Sequence, residues 1–267
     1  TRVCRLRLAV VLSHPTQYYS PWFRWLAAHT SIDLRVFYLW DFGVTARRDP
    51  HFQADIKWDV DLLSGYAHEF VPNTSRDPGT HHFQGLRNPE LTARLAAWEP
   101  AALLMFGYKW HAHLRALFWA RRRGVPVIFR GDSHFLGRGR PGWPVRSALR
   151  ALYAQFRAVL PVGVANRDYF TALGVPPAKV FFAPHAVDDA LFNPELPAPR
   201  AQAAALRAGL GLASSTRVVL FAGQFIAAKQ PRELLAAFLS VRRPDTALVF
   251  VGDGPEKSAL IDQAGRR

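Results

Sequence analysis

The stretch that decides the fold is RLRLAVVLSHPTQYYSPWFRWLAAH, residues 5–29. Its first eight residues form a β-rich apolar run, which predicts a buried strand. Ser20 and Pro21 then supply an N-cap and a first-turn proline for a helix. A polar and aromatic loop joins the strand to the helix. This order of strand, loop and helix is the repeating unit of α/β sheets.

The same pattern recurs along the first 183 residues. Apolar runs predict further strands at residues 32–40, 101–106, 125–129, 158–162 and 179–183. Between them the sequence predicts helices at residues 111–123, 145–156 and 166–173. Alternating buried strands and helices favour a parallel sheet that helices cover on both faces.

A proline-rich segment interrupts this pattern. NPELPAPR, residues 193–200, carries three prolines in eight residues, and prolines at that density are incompatible with a helix interior or a central strand. We expect a linker there, between a first domain at residues 1–192 and the start of a second at residues 201–267. The sequence of the second piece predicts only two strands and three helices. These elements are too few to bury a complete parallel sheet. We therefore expect the chain to be part of a longer protein.

The composition is that of a globular protein. Of the 267 residues, 49% are hydrophobic and 13% aromatic, which is too rich for a disordered chain, and no uninterrupted run of about 18 apolar residues occurs. The lone Cys4 excludes an internal disulfide and a cysteine-based zinc cage. Since no secretory core precedes Leu12, we expect a cytoplasmic protein.

The net charge of +14 indicates either an anionic partner or a general preference for arginine, and both interpretations stay open. The basic residues are spread along the chain and form no aromatic-interleaved stripe, so we do not expect a nucleic acid partner. One segment, residues 143–160, sets apolar side chains at helical spacing against arginines. It predicts either a core-facing helix or a peripheral contact with the anionic inner face of a membrane.

Two turns in the second piece carry glycines that suit phosphate binding. The first follows the strand RVVLFAG and contains Gly223, Gln224 and Lys229 just before a helix. A glycine admits close backbone approach, and an ammonium group beside a helix N-terminus suits a diphosphate. From spacing alone, an exposed lysine beside an ordinary turn is the simpler interpretation. The second turn, with Gly252 and Gly254, lacks the third glycine of the dinucleotide fingerprint, and a tight turn explains it as well.

In the first piece, the loop after the first strand carries His14, Gln17, Tyr18 and Tyr19. It lies at the carboxyl edge, where open α/β sheets bind ligands. These side chains suit a sugar or an aglycone through hydrogen bonds and stacking. A hydrophobic lid of packed tyrosines fits the same residues equally well.

A second polar loop, RGDSH, follows the strand predicted at residues 125–129. It places Arg130, Asp132 and His134 within five positions. A cation, a carboxylate and an imidazole at the carboxyl end of a strand indicate a site, while a salt-bridged turn with a surface histidine is the alternative.

Three motifs resemble metal sites, but each lacks a supporting feature. The Asp-Val-Asp tripeptide at residues 59–61 follows no apolar strand and predicts a solvated loop. His111 and His113 point in different directions on a helix. His81 and His82 lack a nearby carboxylate or thiol. We therefore expect no metal and no cofactor.

Taken in order, these stretches resemble the retaining family 4 glycosyltransferases, also called group 1 glycosyltransferases. The resemblance rests on the residue ranges 13–27, 52–66, 129–134, 162–176, 181–192, 221–238 and 249–255. It implies an α/β fold of GT-B type, in which two Rossmann-like domains face a cleft, the second being incomplete in this chain.

The resemblance also implies roles for the two domains. The first would bind a glycan, lipid-linked or small-molecule acceptor, and the second a nucleotide-sugar donor. The implied acceptor-binding residues are His14, Gln17, Tyr18, Tyr19, Asp132 and His134, and the donor-binding residues are Gly223, Gln224, Lys229, Gly252 and Gly254. Lys229 would contact the donor diphosphate and, together with Arg130, act in catalysis.

The chain departs from the family at one position and is incomplete at another. Gln224 stands where many members have a second cation, which weakens the expected diphosphate clamp. The family's paired-glutamate segment is expected beyond Arg267, so we expect this chain alone not to turn over. The alternative function is a non-catalytic nucleotide- or polyanion-binding module. A nicotinamide-dependent oxidoreductase is disfavoured because the glycine fingerprint is missing.

Overall fold

The computed structural model describes residues 5–45, 47–49, 54–56, 58, 60–136, 139–187, 193, 195–241 and 243–265. The chain divides into two compact units. Residues 1–45 and 57–188 form the first unit, and residues 46–56 and 189–267 form the second. The segment 46–56 thus groups with the second unit, whereas the sequence predicted it in the first domain.

The first unit is built on a six-stranded sheet with the order β5-β2-β1-β6-β7-β8, and each neighbouring pair is parallel. Its strands are β1 (Leu6–Leu12), β2 (Ile32–Tyr38), β5 (Ala67–Phe70), β6 (Ala102–Phe106), β7 (Val127–Arg130) and β8 (Ala158–Leu160). Its helices are α1 (Ser20–His29), α2 (Leu91–Trp98), α3 (His111–Arg122), α4 (Trp143–Tyr153) and α5 (Val164–Ala172). The expected parallel α/β sheet is confirmed.

Both faces of this sheet are buried. Along β1, Ala9 and Val11 pack into one apolar cluster, which includes residues of α2, α3 and α5. Leu8 and Val10 pack into the opposite cluster, together with Phe23 of α1. Because successive strand side chains point to opposite faces, this apolar run serves two cores at once. The central position of β1 follows from it.

Two local expectations are wrong. Residues 179–183 form no regular strand: a 3-10 turn spans Pro177–Lys179, and Val180 makes a single bridge to Val159. Ser20 is not the N-cap of α1, because Tyr19 occupies that position without a side-chain cap. The Ser20 hydroxyl is buried and instead accepts a hydrogen bond from the Tyr66 hydroxyl, 3.3 Å away.

Asn88 joins three chain segments near α2, an element that the sequence analysis did not predict. Its side-chain Nδ2 donates to the carbonyls of Leu39 at 2.9 Å, Val71 at 2.8 Å and Pro72 at 3.2 Å. Asn88, Leu39 and Val71 are buried, so the first two bonds satisfy backbone groups that water does not reach, whereas Pro72 is exposed. The ends of β2 and β5 are thereby fixed against the chain that enters α2.

The second unit contains an antiparallel pair and a parallel pair of strands. The strands are β3 (Arg47–Asp49), β4 (Ala54–Ile56), β9 (Arg217–Ala222) and β10 (Thr246–Val251), and the helices are α6 (Pro197–Gly209), α7 (Pro231–Val241) and α8 (Lys257–Gly265). Helix α6 begins inside the segment predicted as a linker, residues 193–200. Pro197 and Pro199 fit its first turn, where no backbone N–H is needed for intrahelical bonding.

Helix α4 divides its apolar residues between two environments. Tyr153 is buried, and Leu149 and Leu152 pack against the sheet core. Trp143 and Val145 are 72% and 55% exposed. The helix is therefore core-facing toward its C-terminal end and exposes apolar surface at its start. Among the described residues, no helix has the length and apolarity that crossing a bilayer requires.

Candidate functional site

A pocket of about 480 Å³ opens at the carboxyl edge of the six-stranded sheet. It is lined by Leu12, Tyr19, Phe106, Gly107, Tyr108, Lys109, Trp110, Phe129, Arg130, Gly131, Asp132, Ser133 and Val162. From β1 the chain order runs outward in both directions, to β2 on one side and to β6 on the other. Leu12 and Phe106 end β1 and β6, so the pocket lies at this switch point, where open α/β sheets bind ligands.

Arg130 is the buried cation of this pocket, with 3% of its surface exposed. Its Nη1 donates to the carbonyl of Ala183 at 2.6 Å and its Nη2 to that of Pro184 at 3.2 Å. The guanidinium also lies 5.8 Å from the Tyr19 ring centre and 5.3 Å from that of Trp22. Both bonds go to uncharged acceptors, so they leave its positive charge unneutralised. Arg130 thus braces a backbone segment and makes the pocket electropositive.

Tyr19 is the residue of the first loop that lines the pocket. Its ring lies 4.6 Å from Phe106 and 6.2 Å from His185, measured between ring centres. Burial raises the pKa of Tyr19, while the Arg130 charge opposes this shift. The hydroxyl is therefore a neutral hydrogen-bonding group at physiological pH.

The other residues predicted for this loop do not line the pocket. Tyr18 is 62% exposed and Gln17 is half-buried, and neither lines the pocket. His14 packs edge-on against Trp40 and Phe42, and its Nδ1 lies 3.0 Å from the Ser13 hydroxyl. Burial lowers the pKa of His14 to about 4, so its imidazole is neutral near pH 7.

The residues predicted in the second loop also differ in whether they line the pocket. Asp132 lines the pocket, whereas His134 is exposed and does not. Asn166 of α5 fixes the loop between them. Its Nδ2 donates to the Ser133 carbonyl at 2.7 Å, and its Oδ1 accepts from the backbone N–H of Val162 at 3.0 Å. The polar edge of the pocket is thus held by a residue outside the predicted motif.

The turn between β6 and α3 also contributes to the pocket, and no sequence motif predicted it. Tyr108, Lys109 and Trp110 line the pocket there, and the Lys109 ammonium lies 5.0 Å from the Trp110 ring centre. Gly107 is the first residue of this turn. Its φ of 101° lies in a region that favours glycine. The available signal was the position of these residues directly after an apolar strand.

In the second unit, the predicted donor glycines meet at the carboxyl ends of β9 and β10. The Gly223 N–H donates to the Val251 carbonyl at 2.9 Å, and the Phe225 N–H to that of Asp253 at 2.8 Å. A Cβ on Gly252 would lie 1.9 Å from the Gly223 carbonyl oxygen. A Cβ on Gly254 would lie 2.7 Å from the Phe225 oxygen. Loop packing alone therefore accounts for glycine at both later positions.

Lys229 ends a 3-10 turn, Ala227–Lys229, that directly precedes α7. Its side chain is exposed, and Gln224 is half-buried. Gln230, between Lys229 and the helix, has a left-handed backbone with φ 55°. The geometry thus presents an accessible ammonium beside the start of an eleven-residue helix. The predicted catalytic and donor-binding roles of Lys229 remain proposals.

One of the three metal motifs was judged wrongly. His81 and His82 do have a carboxylate neighbour: their Nε2 atoms lie 3.0 Å and 3.3 Å from Oδ2 of Asp77. His111 is half-buried, and His113 is completely buried with neither ring nitrogen hydrogen-bonded among the described residues. Burial lowers the pKa of His113 to about 3.

In the tripeptide at 59–61, Asp59 lies outside the described residues. Asp61 is exposed, and its Oδ1 accepts backbone N–H bonds from Leu63 and Ser64. Hydrogen bonds from Ser64, first from its side chain, lower the pKa of Asp61 to about 2. This is the hydrogen-bonded turn of a solvated loop, as expected.

The α/β fold with its parallel six-stranded sheet is similar to solved structures of GT-B or Rossmann-like architecture. Anabaena HepE, solved in complex with UDP and glucose, is 14% identical with a TM-score of 0.62, covering 98% of this chain and 66% of HepE. A glycosyltransferase from Rickettsia africae is 11% identical with a TM-score of 0.63, covering 97% of this chain and 64% of that one. The α/β fold class is thus confirmed.

A third structure of the same fold is an epimerase. UDP-GlcNAc 2-epimerase from Neisseria meningitidis, bound to UDP-GlcNAc, is 15% identical with a TM-score of 0.57, covering 98% of this chain and 70% of the epimerase. The chain therefore spans about two thirds of the length of these structures. No family model matches the sequence, and no curated protein matches it.

Proposed function

We propose that the chain is the acceptor-binding unit and part of the donor-binding unit of a retaining glycosyltransferase. The observation that carries the proposal is the pocket at the switch point of the first unit, with Arg130 buried in its wall. Five aromatic residues line it beside the carboxylate of Asp132, namely Tyr19, Phe106, Tyr108, Trp110 and Phe129. Polar and apolar surface line this concavity in nearly equal measure, and polar groups that converge beside apolar walls are typical of small-molecule sites.

The acceptor is proposed to enter this pocket. Aromatic faces suit the apolar faces of a sugar ring, while Asp132 accepts hydrogen bonds from its hydroxyls. Lys109 and Arg130 give the pocket two positive charges against one negative charge, which favours an acceptor that carries an anionic group. A glycan, a lipid-linked saccharide or a small molecule with a phosphate meets this description.

The donor is proposed to bind the second unit at its glycine turns. Gly223 has no backbone within 4 Å of the position a Cβ would take, so the approach to the β9 end is open. Lys229 and the N-terminus of α7 would then stabilise the diphosphate. The similar structures were solved with UDP and glucose and with UDP-GlcNAc, which supports a nucleotide-sugar ligand in general.

The proposed reaction transfers a sugar with retention. The bond between the anomeric carbon and the diphosphate oxygen breaks, and the acceptor oxygen bonds to the same face of that carbon. The acceptor proton passes to the departing phosphate oxygen. Lys229 would stabilise the charge that grows on the leaving group, which lowers the barrier more than it strengthens substrate binding.

Two measurements test this function. Calorimetric titration of the chain with UDP is expected to show binding that Lys229→Ala weakens. The complete gene product, given nucleotide sugars and candidate acceptors, is expected to form a glycoside whose anomeric configuration matches that of the donor by NMR. An inverted product would refute retention.

Two other outcomes would replace the proposal. Conversion of UDP-GlcNAc to its 2-epimer without an acceptor would make the protein an epimerase, the activity named for the Neisseria structure. Nucleotide binding by the complete gene product without any turnover would leave the non-catalytic nucleotide- or polyanion-binding module.

A further inference from the structure

The loop between β5 and α2 brings two imidazoles and a carboxylate together. Nε2 of His81 lies 3.0 Å from Oδ2 of Asp77, and Nε2 of His82 lies 3.3 Å from the same oxygen. Ligand atoms from the three residues all lie within 4.8 Å of one another. Both histidines thus present the same ring nitrogen to one point.

Nε2 of His82 also lies 3.0 Å from the Asp77 backbone carbonyl, and further contacts that do not involve the three side chains hold the backbone of this loop. Asn73 Nδ2 donates to the Gly85 carbonyl at 2.9 Å, and the Gly79 N–H donates to the same carbonyl at 3.2 Å. The Trp110 indole donates to the Thr80 carbonyl at 3.2 Å. The ligand positions are therefore set before any ion binds, which reduces the ordering cost of binding.

The imidazole ring of His81 packs against Gly79. A Cβ on Gly79 would lie 2.6 Å from Nδ1 of His81 and 2.8 Å from its Cε1. The ring therefore rests against a residue that has no side chain. Its Nε2 points away from this contact toward Asp77.

We propose that Asp77, His81 and His82 form a binding site for a divalent transition-metal ion, with zinc as the best-fitting ion. Two imidazoles and a carboxylate are a zinc ligand set that leaves a fourth position for water. Ligand atoms about 2.1 Å from zinc at tetrahedral angles lie about 3.4 Å apart, close to the 3.0 Å and 3.3 Å found here. Magnesium and calcium prefer sites made of oxygen ligands, so two imidazoles disfavour them.

The site is accessible and is coupled to the pocket wall. The side chains of Asp77 and His81 are 69% and 58% exposed, so an ion can enter from solvent. Thr80 lies between the ligands in the sequence, and its carbonyl accepts a hydrogen bond from the indole of Trp110. Trp110 lines the pocket. A bound ion would hold the loop that supports this tryptophan, and its proposed role is structural.

Zinc binding to the tag-free chain is measured by calorimetric titration, with cobalt(II) absorption as a second readout of imidazole ligation. We expect one saturable zinc site per chain. His81→Ala, His82→Ala and Asp77→Asn should each lower its affinity by at least about tenfold, the lower end of what even outer contacts contribute. His29→Ala, which removes an exposed histidine of α1, is the matched control and should leave the affinity unchanged.

Gly79→Ala tests the geometry without removing a ligand. The new methyl group must push the His81 ring aside, so we expect weaker zinc binding while the thermal unfolding of the metal-free chain stays close to that of the wild type. The proposal is overturned if zinc shows no saturable binding, if the ligand variants bind like the wild type, or if magnesium competes equally well. Unchanged unfolding temperatures of the metal-free variants show that lost binding is not lost folding.

Discussion

Asn166 donates a hydrogen bond of 2.7 Å to the carbonyl of Ser133, 33 positions earlier in the chain. The same amide accepts from the Val162 N–H, so one buried side chain fixes two loops at the carboxyl edge of the sheet. This bridge holds the segment that carries Asp132 in place. Asn166 does not line the pocket, but Ser133 and Val162 do, so its replacement should disturb the pocket wall.

We therefore expect Asn166→Ala to destabilise the first unit by about 1–2 kcal/mol, because it leaves two partly buried backbone groups without partners. Acceptor binding by the complete gene product should weaken as well. Arg167→Ala, which removes an exposed neighbour, should change stability by less than about 0.5 kcal/mol. Chemical denaturation of both variants measures this difference, and equal stabilities would contradict the bridging role.

Lys229→Ala should lower turnover of the complete gene product roughly 100- to 1000-fold, about 3–4 kcal/mol, as for the loss of one preorganised donor in a transition state. The melting temperature should stay nearly unchanged, because the side chain is exposed. Arg121→Ala removes an exposed cation of α3 in the first unit and is the control. Equal turnover in Lys229→Ala, or a loss of stability that matches the lost activity, would remove Lys229 from the mechanism.

Gln224→Arg should tighten UDP binding, since it adds a second cation to the proposed diphosphate site. Salt should diminish the gain, because exposed charges are screened. Titration with UDP at low and high ionic strength measures both effects. A gain that persists at high salt would indicate a contact other than charge attraction.

Gly252→Ala should destabilise the second unit by at least about 2 kcal/mol. Its Cβ would lie 1.9 Å from the Gly223 carbonyl oxygen, and the φ of 152° is unfavourable for a residue with a side chain. Gly209→Ala, where nothing lies within 4 Å, is the matched control and should be neutral or stabilising. Thermal unfolding of the two variants distinguishes a packing requirement from a ligand requirement, since neither measurement contains a nucleotide.

The buried histidines predict a pH dependence of stability. The folded-state pKa is about 3 for His113 and about 4 for His14, both below the ordinary value of 6.5. Between about pH 6.5 and 4 the unfolded chain therefore binds more protons, and stability falls as the pH is lowered. His113 alone accounts for a loss on the order of 3 kcal/mol across this window.

His113→Leu removes the two unpaired ring nitrogens and should flatten this dependence by the share that His113 contributes. Denaturation at several pH values, with His29→Ala as the control, measures the slope. A variant that keeps the full slope would assign it to other groups.

The exposed start of α4 is the surface proposed to contact an anionic membrane, beside Arg146. Sedimentation with anionic vesicles should show binding that salt weakens and that Trp143→Ala reduces. Trp25→Ala removes a tryptophan of 55% exposure on α1 and is the matched control. If Trp143→Ala and Trp25→Ala bind alike, this surface is not the contact.

The sheet could be predicted because its central strands contain apolar runs, such as LAVVL at residues 8–12, and a strand that is apolar on both faces must be buried on both. The short edge strand β5, AHEF, has no such run, and its pairing with β2 depends on distant residues such as Asn88. The linker prediction at residues 193–200 was wrong at Pro197, because a proline that cannot continue a helix can still begin one.

The site was only partly predictable for the same reason. Strand ends pointed to Tyr19, Arg130 and Asp132, whose positions follow directly from β1 and β7. Lys109 and Trp110 follow a strand too, but carry no recognisable motif. The contacts of Asp77 with His81 and His82 depend on an irregular loop, whose path no periodic pattern encodes.

The triple hydrogen bond of Asn88 has a consequence for how the sheet opens. Because one amide holds the carbonyls of Leu39, Val71 and Pro72, the edge strand β5 cannot fray without breaking bonds to β2 and to the chain entering α2. Backbone amides of β5 should therefore exchange with solvent at rates set by a larger cooperative opening, as an inner strand would. An edge strand that opens as rarely as an inner strand is seldom available to pair with a strand of another chain.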